Sequence, residues 1–250
     1  MHEYKVSTEY VEILESIIDG NTDAIYRAGV LAYENGDFET AEKFFESAKK
    51  AGDSYGYLGL GILAKDSGHA VLAKEYFREG LNAGNHRCLF ELGVLAARAG
   101  DLEEAERFYL QASDYDIPEA MFNLGVINSD RGELEVAKHW YLRAAAHDYA
   151  GALINLGFLA QLENENDLMN SYWIQAQNLG DAVAMFNLGQ LQAGSGNLRE
   201  AERLFLAAAT KGNADALQAL LNLERLGPEA ILWLAGNGYE SHVFGESDDS

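Results

Sequence analysis

Between Gly84 and Tyr115 the chain shows two apolar periodicities separated by a break. Over residues 86–98, Leu89, Phe90, Leu92, Val94 and Leu95 recur at three- and four-residue spacing, which predicts an amphipathic helix. Gly93 falls in the middle of it, where glycine costs about 1 kcal/mol relative to alanine. The compensation expected is close approach of a second helix. Gly100-Asp101 interrupts the pattern, and Asp101 suits an N-cap, with Glu104 placed as in a capping box. Leu102, Ala105, Phe108, Tyr109 and Ala112 then form the apolar face of a second helix over 102–113.

The same pattern returns along the chain. Gly20, Gly52, Gly84, Gly180 and Gly212 lie on one 32-residue grid, and Asp116 and Asp148 fill its two remaining nodes. Nine residues after the first six nodes come Gly29, Gly61, Gly93, Gly125, Gly157 and Gly189. A turn column reads Gly36, Gly68, Gly100, Gly132, Asn164 and Gly196. An aromatic column reads Phe45, Phe77, Tyr109, Tyr141, Trp173 and Phe205, flanked by columns of mostly small residues. One helix pair cannot bury its apolar face, whereas stacked pairs can. The expected fold is therefore all-α: an alpha-solenoid of about six to seven 32-residue helix-turn-helix repeats.

Composition narrows the function. The chain has 18 basic and 40 acidic residues, a net charge of −22, which argues against a nucleic-acid or anionic-membrane surface. No apolar run reaches membrane-helix length, and the first residues lack the basic flank and apolar centre of a secretory signal. A single cysteine, Cys88, excludes an intrachain disulfide framework and suits a reducing, cytoplasmic setting. Cys88 shares a column with Ala24, Gly56, Ala120, Ala152, Ala184 and Ala216, so it is read as a small packing residue.

The segments NLGVINSDRGELEVAKHWYLRAAAHDYAGA and NLGQLQAGSGNLREAERLFLAAATKGNADA resemble Sel1-like repeats, relatives of the tetratricopeptide repeat. The resemblance covers roughly residues 20–226 and implies a right-handed alpha-alpha superhelix. The period of 32 is shorter than the tetratricopeptide 34, and the usual Sel1-type loop insertion is missing. Residues 1–19 are expected to form an N-terminal capping helix and residues 227–236 a C-terminal one, with Pro228 at its first position. Residues 237–250 read as an acidic tail. The fifth repeat carries Asn166 where others have Phe38, Ala70, Leu102, Leu134 or Leu198, which predicts a looser second helix through lost apolar burial.

No catalytic pattern survives inspection. Gly59, Gly61 and Ala64 match a dinucleotide fingerprint but fall inside a predicted helix rather than at a strand-to-helix turn. The six histidines lack metal-ligand spacing. The chain is therefore expected to be no enzyme and to need no cofactor or metal.

The resemblance supplies the candidate site, because in tetratricopeptide-like solenoids the first helix of each pair lines a concave groove. Two residues before each repeat glycine stand Arg27, Gly59, Glu91, Asn123, Asn155 and Asn187. The family often uses asparagine there to hold an extended peptide, and an amide offers a peptide unit both donor and acceptor. Such a role needs the ladder side chains open to solvent. Three residues further on, Val30, Ile62, Val94, Val126, Phe158 and Gln190 share the ladder's face and would floor the groove. Tyr26, Leu58, Phe90, Phe122, Ile154 and Phe186, one residue before the ladder, are read as inter-repeat core. Only Arg87 is basic at the clamp position four residues before the ladder, so capture of an acidic C-terminus is not expected.

No Lys or Arg occurs between Arg143 and Arg199, so a partner there should be neutral to basic, and its attraction should weaken with salt. The expected function is a scaffold or adaptor, monomeric or weakly dimeric, holding a peptide or helical segment of another protein. The alternatives are a regulator that binds a short signalling peptide, and an acidic decoy covering a basic nucleic-acid-binding surface.

Overall fold

A computed structural model describes residues 22–223 and 226–239, together with Ile13 and Ser16. Fourteen α-helices and no strands occur among the described residues. The chain divides into two compact units, Met1–Ile127 and Asn128–Ser250.

The first unit holds α1 (Thr22–Glu34), α2 (Phe38–Lys50), α3 (Ser54–Asp66), α4 (Ala70–Asn82), α5 (Arg87–Arg98), α6 (Leu102–Ser113) and most of α7 (Pro118–Asp130). The second holds α8 (Leu134–Ala145), α9 (Ala150–Leu162), α10 (Asn166–Asn178), α11 (Ala182–Gly194), α12 (Leu198–Thr210), α13 (Ala214–Leu221) and α14 (Pro228–Gly236). Within the first unit α1 packs on α2, α3 on α4 and α5 on α6, and the pairs join through α2 on α3 and α4 on α5. In the second, α8 through α13 pack successively, and α14 returns to α12.

The turn chemistry explains the fixed period. Short polar side chains cap several of the helix starts: the Asp37 carboxylate accepts from Thr40 N at 3.1 Å and that of Asp101 from Glu104 N at 2.9 Å. The Asp181 carboxylate accepts from Val183 N and Ala184 N at 2.8 and 2.9 Å. The Glu104 carboxylate does not complete a capping box; it turns to Lys74 of the preceding repeat. At the helix ends, the grid and turn glycines from Gly36 to Gly212 have φ between 77 and 90°, the left-handed conformation that closes a helix C-terminus. Asp116, Asp148 and Asn164 adopt it too, at 54, 57 and 60°. These are the nodes where the sequence lacks glycine, so geometry and not residue type is what repeats.

Packing explains the glycine and aromatic columns together. A Cβ on Gly61 would lie 2.3 Å from the Phe77 ring, one on Gly93 2.5 Å from Tyr109, and one on Gly157 2.1 Å from Trp173. The mid-helix glycine thus seats the ring of its own repeat, rather than letting two backbones touch. Phe45, Phe77 and Tyr109 are buried in the first unit, and Tyr141, Trp173 and Phe205 in the second. Burial of each such ring stabilises by about 3 kcal/mol, several-fold more than the glycine costs the helix. The small columns do permit close backbone approach: a Cβ on Gly56 would meet Lys49 N at 2.4 Å.

One expectation is corrected here. The column containing Asn166 is exposed, with Phe38 at 57%, Leu102 at 52% and Leu134 at 41%. Asparagine there forfeits little buried area, and Met169 and Trp173 of the same helix are buried against Leu188 and Leu204. α10 is packed like its neighbours. At the C-terminus, α14 begins at Pro228 as expected, and Gly227 N donates to the Glu202 carboxylate of α12. The helix ends at Gly236, and beyond it Tyr239 N donates to Leu234 O at 2.9 Å while its side chain packs on the same core. The remaining tail residues, 240–250, lie outside the described residues, as does most of the expected capping helix over 1–19. Of the latter, Ile13 is helical and buried against Ala24 and Ala28.

Candidate partner-binding surface

The ladder sits on the odd-numbered helices, and its residues do not share one environment. In the first unit Arg27 is exposed on α1, and Gly59 is buried against Phe45, with a built Cβ 2.5 Å from the ring. Glu91 on α5 pairs with Lys65 of the previous repeat at 2.7 Å, and both side chains are almost enclosed, 13% and 12% exposed. Asn123 on α7 is half-buried and hydrogen-bonded to the Tyr109 hydroxyl. Burial raises the Tyr109 phenol above its ordinary pKa, and the bond from Asn123 offsets part of that rise.

In the second unit Asn155 on α9 is half-buried and bonds the Tyr141 hydroxyl in the same way. Asn187 on α11 is 7% exposed, and its Nδ2 has no hydrogen-bond partner. The ring before it is Trp173, whose indole N–H donates to Ile154 O at 3.2 Å and offers no hydroxyl.

Tyrosine-to-asparagine bonding was present in the sequence as a correlation between columns. Asparagine follows the aromatic by 14 residues, and the two asparagines with a tyrosine before them are the two that bond it. A column-by-column reading treats the asparagines as free. They serve first to hold successive repeats together.

The floor column is more open. Val30, Ile62, Val94 and Val126 are half-buried, while Phe158 and Gln190 are exposed. Phe158 stands edge-on to Trp173 with ring centroids 5.4 Å apart. The column read as core behaves so: Tyr26, Phe90 and Phe186 lie 5.6, 6.0 and 5.8 Å from Phe45, Tyr109 and Phe205. At the clamp position the Arg87 guanidinium is already paired with Glu119 one repeat on, at 2.7 Å.

The face of the second unit's first helices is distinctive. Neither α9 nor α11 carries a charged residue. Yet Phe158 and Leu162 on α9 and Val183 on α11 are 42, 70 and 42% exposed. Asn155, bonded to Tyr141, precedes Phe158 on α9, and the exposed Gln190 follows Val183 on α11 at helical spacing. Such a face offers apolar contact and neutral amide hydrogen bonding, without an ion to desolvate. Among the described residues, no helix is long and apolar enough to cross a membrane.

Comparison with known proteins agrees with the repeat geometry. A family model described as Tetratricopeptide repeat matches residues 58–114. No curated protein sequence matches the chain. Among solved structures, a Sel1 repeat protein from Oxalobacter formigenes is 20% identical and superposes with a TM-score of 0.68, covering 87% of this chain and 98% of that one. The protective antigen c5321 of uropathogenic Escherichia coli, which displays an SLR fold, is 21% identical at a TM-score of 0.58, over 92% of this chain and 57% of the other. Pseudomonas aeruginosa pilF is 19% identical at 0.59, over 80% and 96%. The shared property is the all-α superhelical-repeat fold.

Proposed function

We propose that this chain, a Sel1-like and tetratricopeptide-type repeat protein, is a non-enzymatic interaction module that holds a segment of a partner protein on the first-helix face of its second unit. The observation that carries the reading is the uncharged face of α9 and α11, where Phe158, Leu162 and Val183 stand partly in water. An apolar, charge-free strip on a chain of net charge −22 suits a neutral to basic segment. Gln190 is the exposed amide placed to bond its backbone, while Asn155 beside Phe158 is engaged by the Tyr141 hydroxyl. Arg27, Val94 and Val126 extend the same columns in the first unit, whereas Asn123 is bonded to Tyr109, and Asn187, Glu91 and Arg87 are committed to packing or ion pairs. The single cysteine suits work in a reducing compartment such as the cytoplasm.

The test is affinity capture from native lysate with wild type and with Leu162→Asp/Val183→Asp, both changes lying at exposed positions. Loss of one specific protein, with helicity and melting temperature unchanged, is the expected result. An unchanged set of bound proteins would remove this face from consideration.

A further inference from the structure

A second surface lies in the first unit. A cleft of about 480 Å³ opens where the first repeat meets the second, within the size range of ligand sites. Leu60, Leu63 and Ala64 of α3 form its floor, Phe38 and Glu42 of α2 one wall, and Leu72 and Tyr76 of α4 the other. Phe38 and Leu72 are 57 and 43% exposed at its mouth, and the adjoining Val71 is 77% exposed.

The repeat register shows why the cleft stands open. Glu42 occupies the position of Lys74 one repeat later, and Leu72 that of Glu104. At that next junction Lys74 and Glu104 pair at 3.3 Å across the corresponding gap. In the second unit Lys138, again at the Lys74 position, pairs with Glu163 at 2.9 Å across its own junction. The Glu42 position reads Glu42, Lys74, Glu106, Lys138, Asn170 and Glu202 along the repeats, so the first junction has a carboxylate and a leucine at the positions where the second has Lys74 and Glu104, and it lacks that bridge. Glu39 is neutralised by Lys43 at 2.6 Å, and Lys49 is paired with Glu46 at 3.1 Å. Among the described residues, Glu42 makes neither an ion pair nor a hydrogen bond.

We infer that this cleft docks a basic, apolar segment of a partner protein. One large aliphatic or aromatic side chain enters between Phe38 and Leu72, and a Lys or Arg beside it pairs with Glu42, supplying the cation that Lys74 and Lys138 supply internally elsewhere. The charge complementarity is local, in Glu42, and global, in the net charge of −22. The site is independent of the face on α9 and α11.

The experiment is selection of peptides from a random displayed library on the purified full chain, followed by anisotropy titration of the enriched sequences as labelled synthetic peptides. Enriched peptides should carry a large apolar residue next to Lys or Arg. Glu42→Lys/Leu72→Glu rebuilds the bridge of the next repeat and should weaken them by about tenfold or more, with circular dichroism unchanged. Glu42→Gln alone, a change unable to disturb folding at an exposed site, should weaken the cationic peptides and spare versions with norleucine in place of the cation. The inference is overturned if nothing is enriched, if the enriched peptides lack a cation, if both Glu42 variants bind as wild type does, or if Leu162→Asp/Val183→Asp abolishes binding instead.

Discussion

At the scale of single residues, the chain is held together by complementary small side chains. A Cβ on Gly80 would lie 2.6 Å from Cys88 Sγ and 3.1 Å from Tyr57 Cβ. Other repeats place alanine opposite alanine at the corresponding positions, as with Ala112 and Ala120 or Ala144 and Ala152. The second and third repeats reach a similar combined volume with glycine and cysteine. Gly80→Ala should therefore be more destabilising with Cys88 present than in a Cys88→Ala background, by about 1–3 kcal/mol of overpacking. In the latter background helix propensity should make it neutral or favourable. A double-mutant cycle by urea denaturation measures the difference, and equal effects in both backgrounds would refute it. Burial pushes the Cys88 thiol up to about 12, with Glu91 adding to the rise. Because the folded value lies above the ordinary 9.0, the thiol contributes stability at neutral pH and loses it as pH climbs from about 9 to about 12. Accordingly Cys88 should react with a thiol reagent at pH 8 only as the protein unfolds; prompt stoichiometric labelling of the native chain would contradict this placement.

At the scale of helices and turns, the left-handed node governs where each helix stops. Asp148 holds φ at 57° in a conformation that costs an ordinary L-residue about 1–2 kcal/mol, and that glycine adopts freely. Asp148→Gly should stabilise by about 1 kcal/mol, a rise of about 2–4 °C in a chain of this size, read by calorimetry. α10 makes a second test. Since Asn166 sits in an exposed column while Met169 and Trp173 are buried, its amides should exchange no faster than those of α12. The helices, the turns and the special nodes were all legible in the sequence, because period and residue type repeat together over six copies. The ladder was legible in position and illegible in role. Asn123 and Asn155 fall where a groove needs amides, and only the coincidence with Tyr109 and Tyr141 reveals their internal partners. Ion pairs between repeats, such as Lys65 with Glu91, depend on side-chain reach that a column of residue types does not encode.

At the scale of the whole molecule, 40 acidic residues face 18 basic ones, and several of the basic ones are engaged in bridges to the next repeat within their own unit. The cations that remain are too few to offset the acidic surface, which gives both proposed sites the same preference in partner charge. The uniform turn geometry also bears on how such a chain changes in length. From Gly52 to Gly212 each repeat boundary passes through the same left-handed node, so unequal recombination between copies preserves phase only when whole periods are gained or lost. Excision of the 32 residues from Asn85 to Asp116 joins one node to the start of the next repeat and should leave a folded, shorter protein with undiminished helicity per residue. Removing two residues fewer should break the phase and lower the melting temperature sharply. Length in such an array is thus a discrete variable, counted in copies rather than in amino acids.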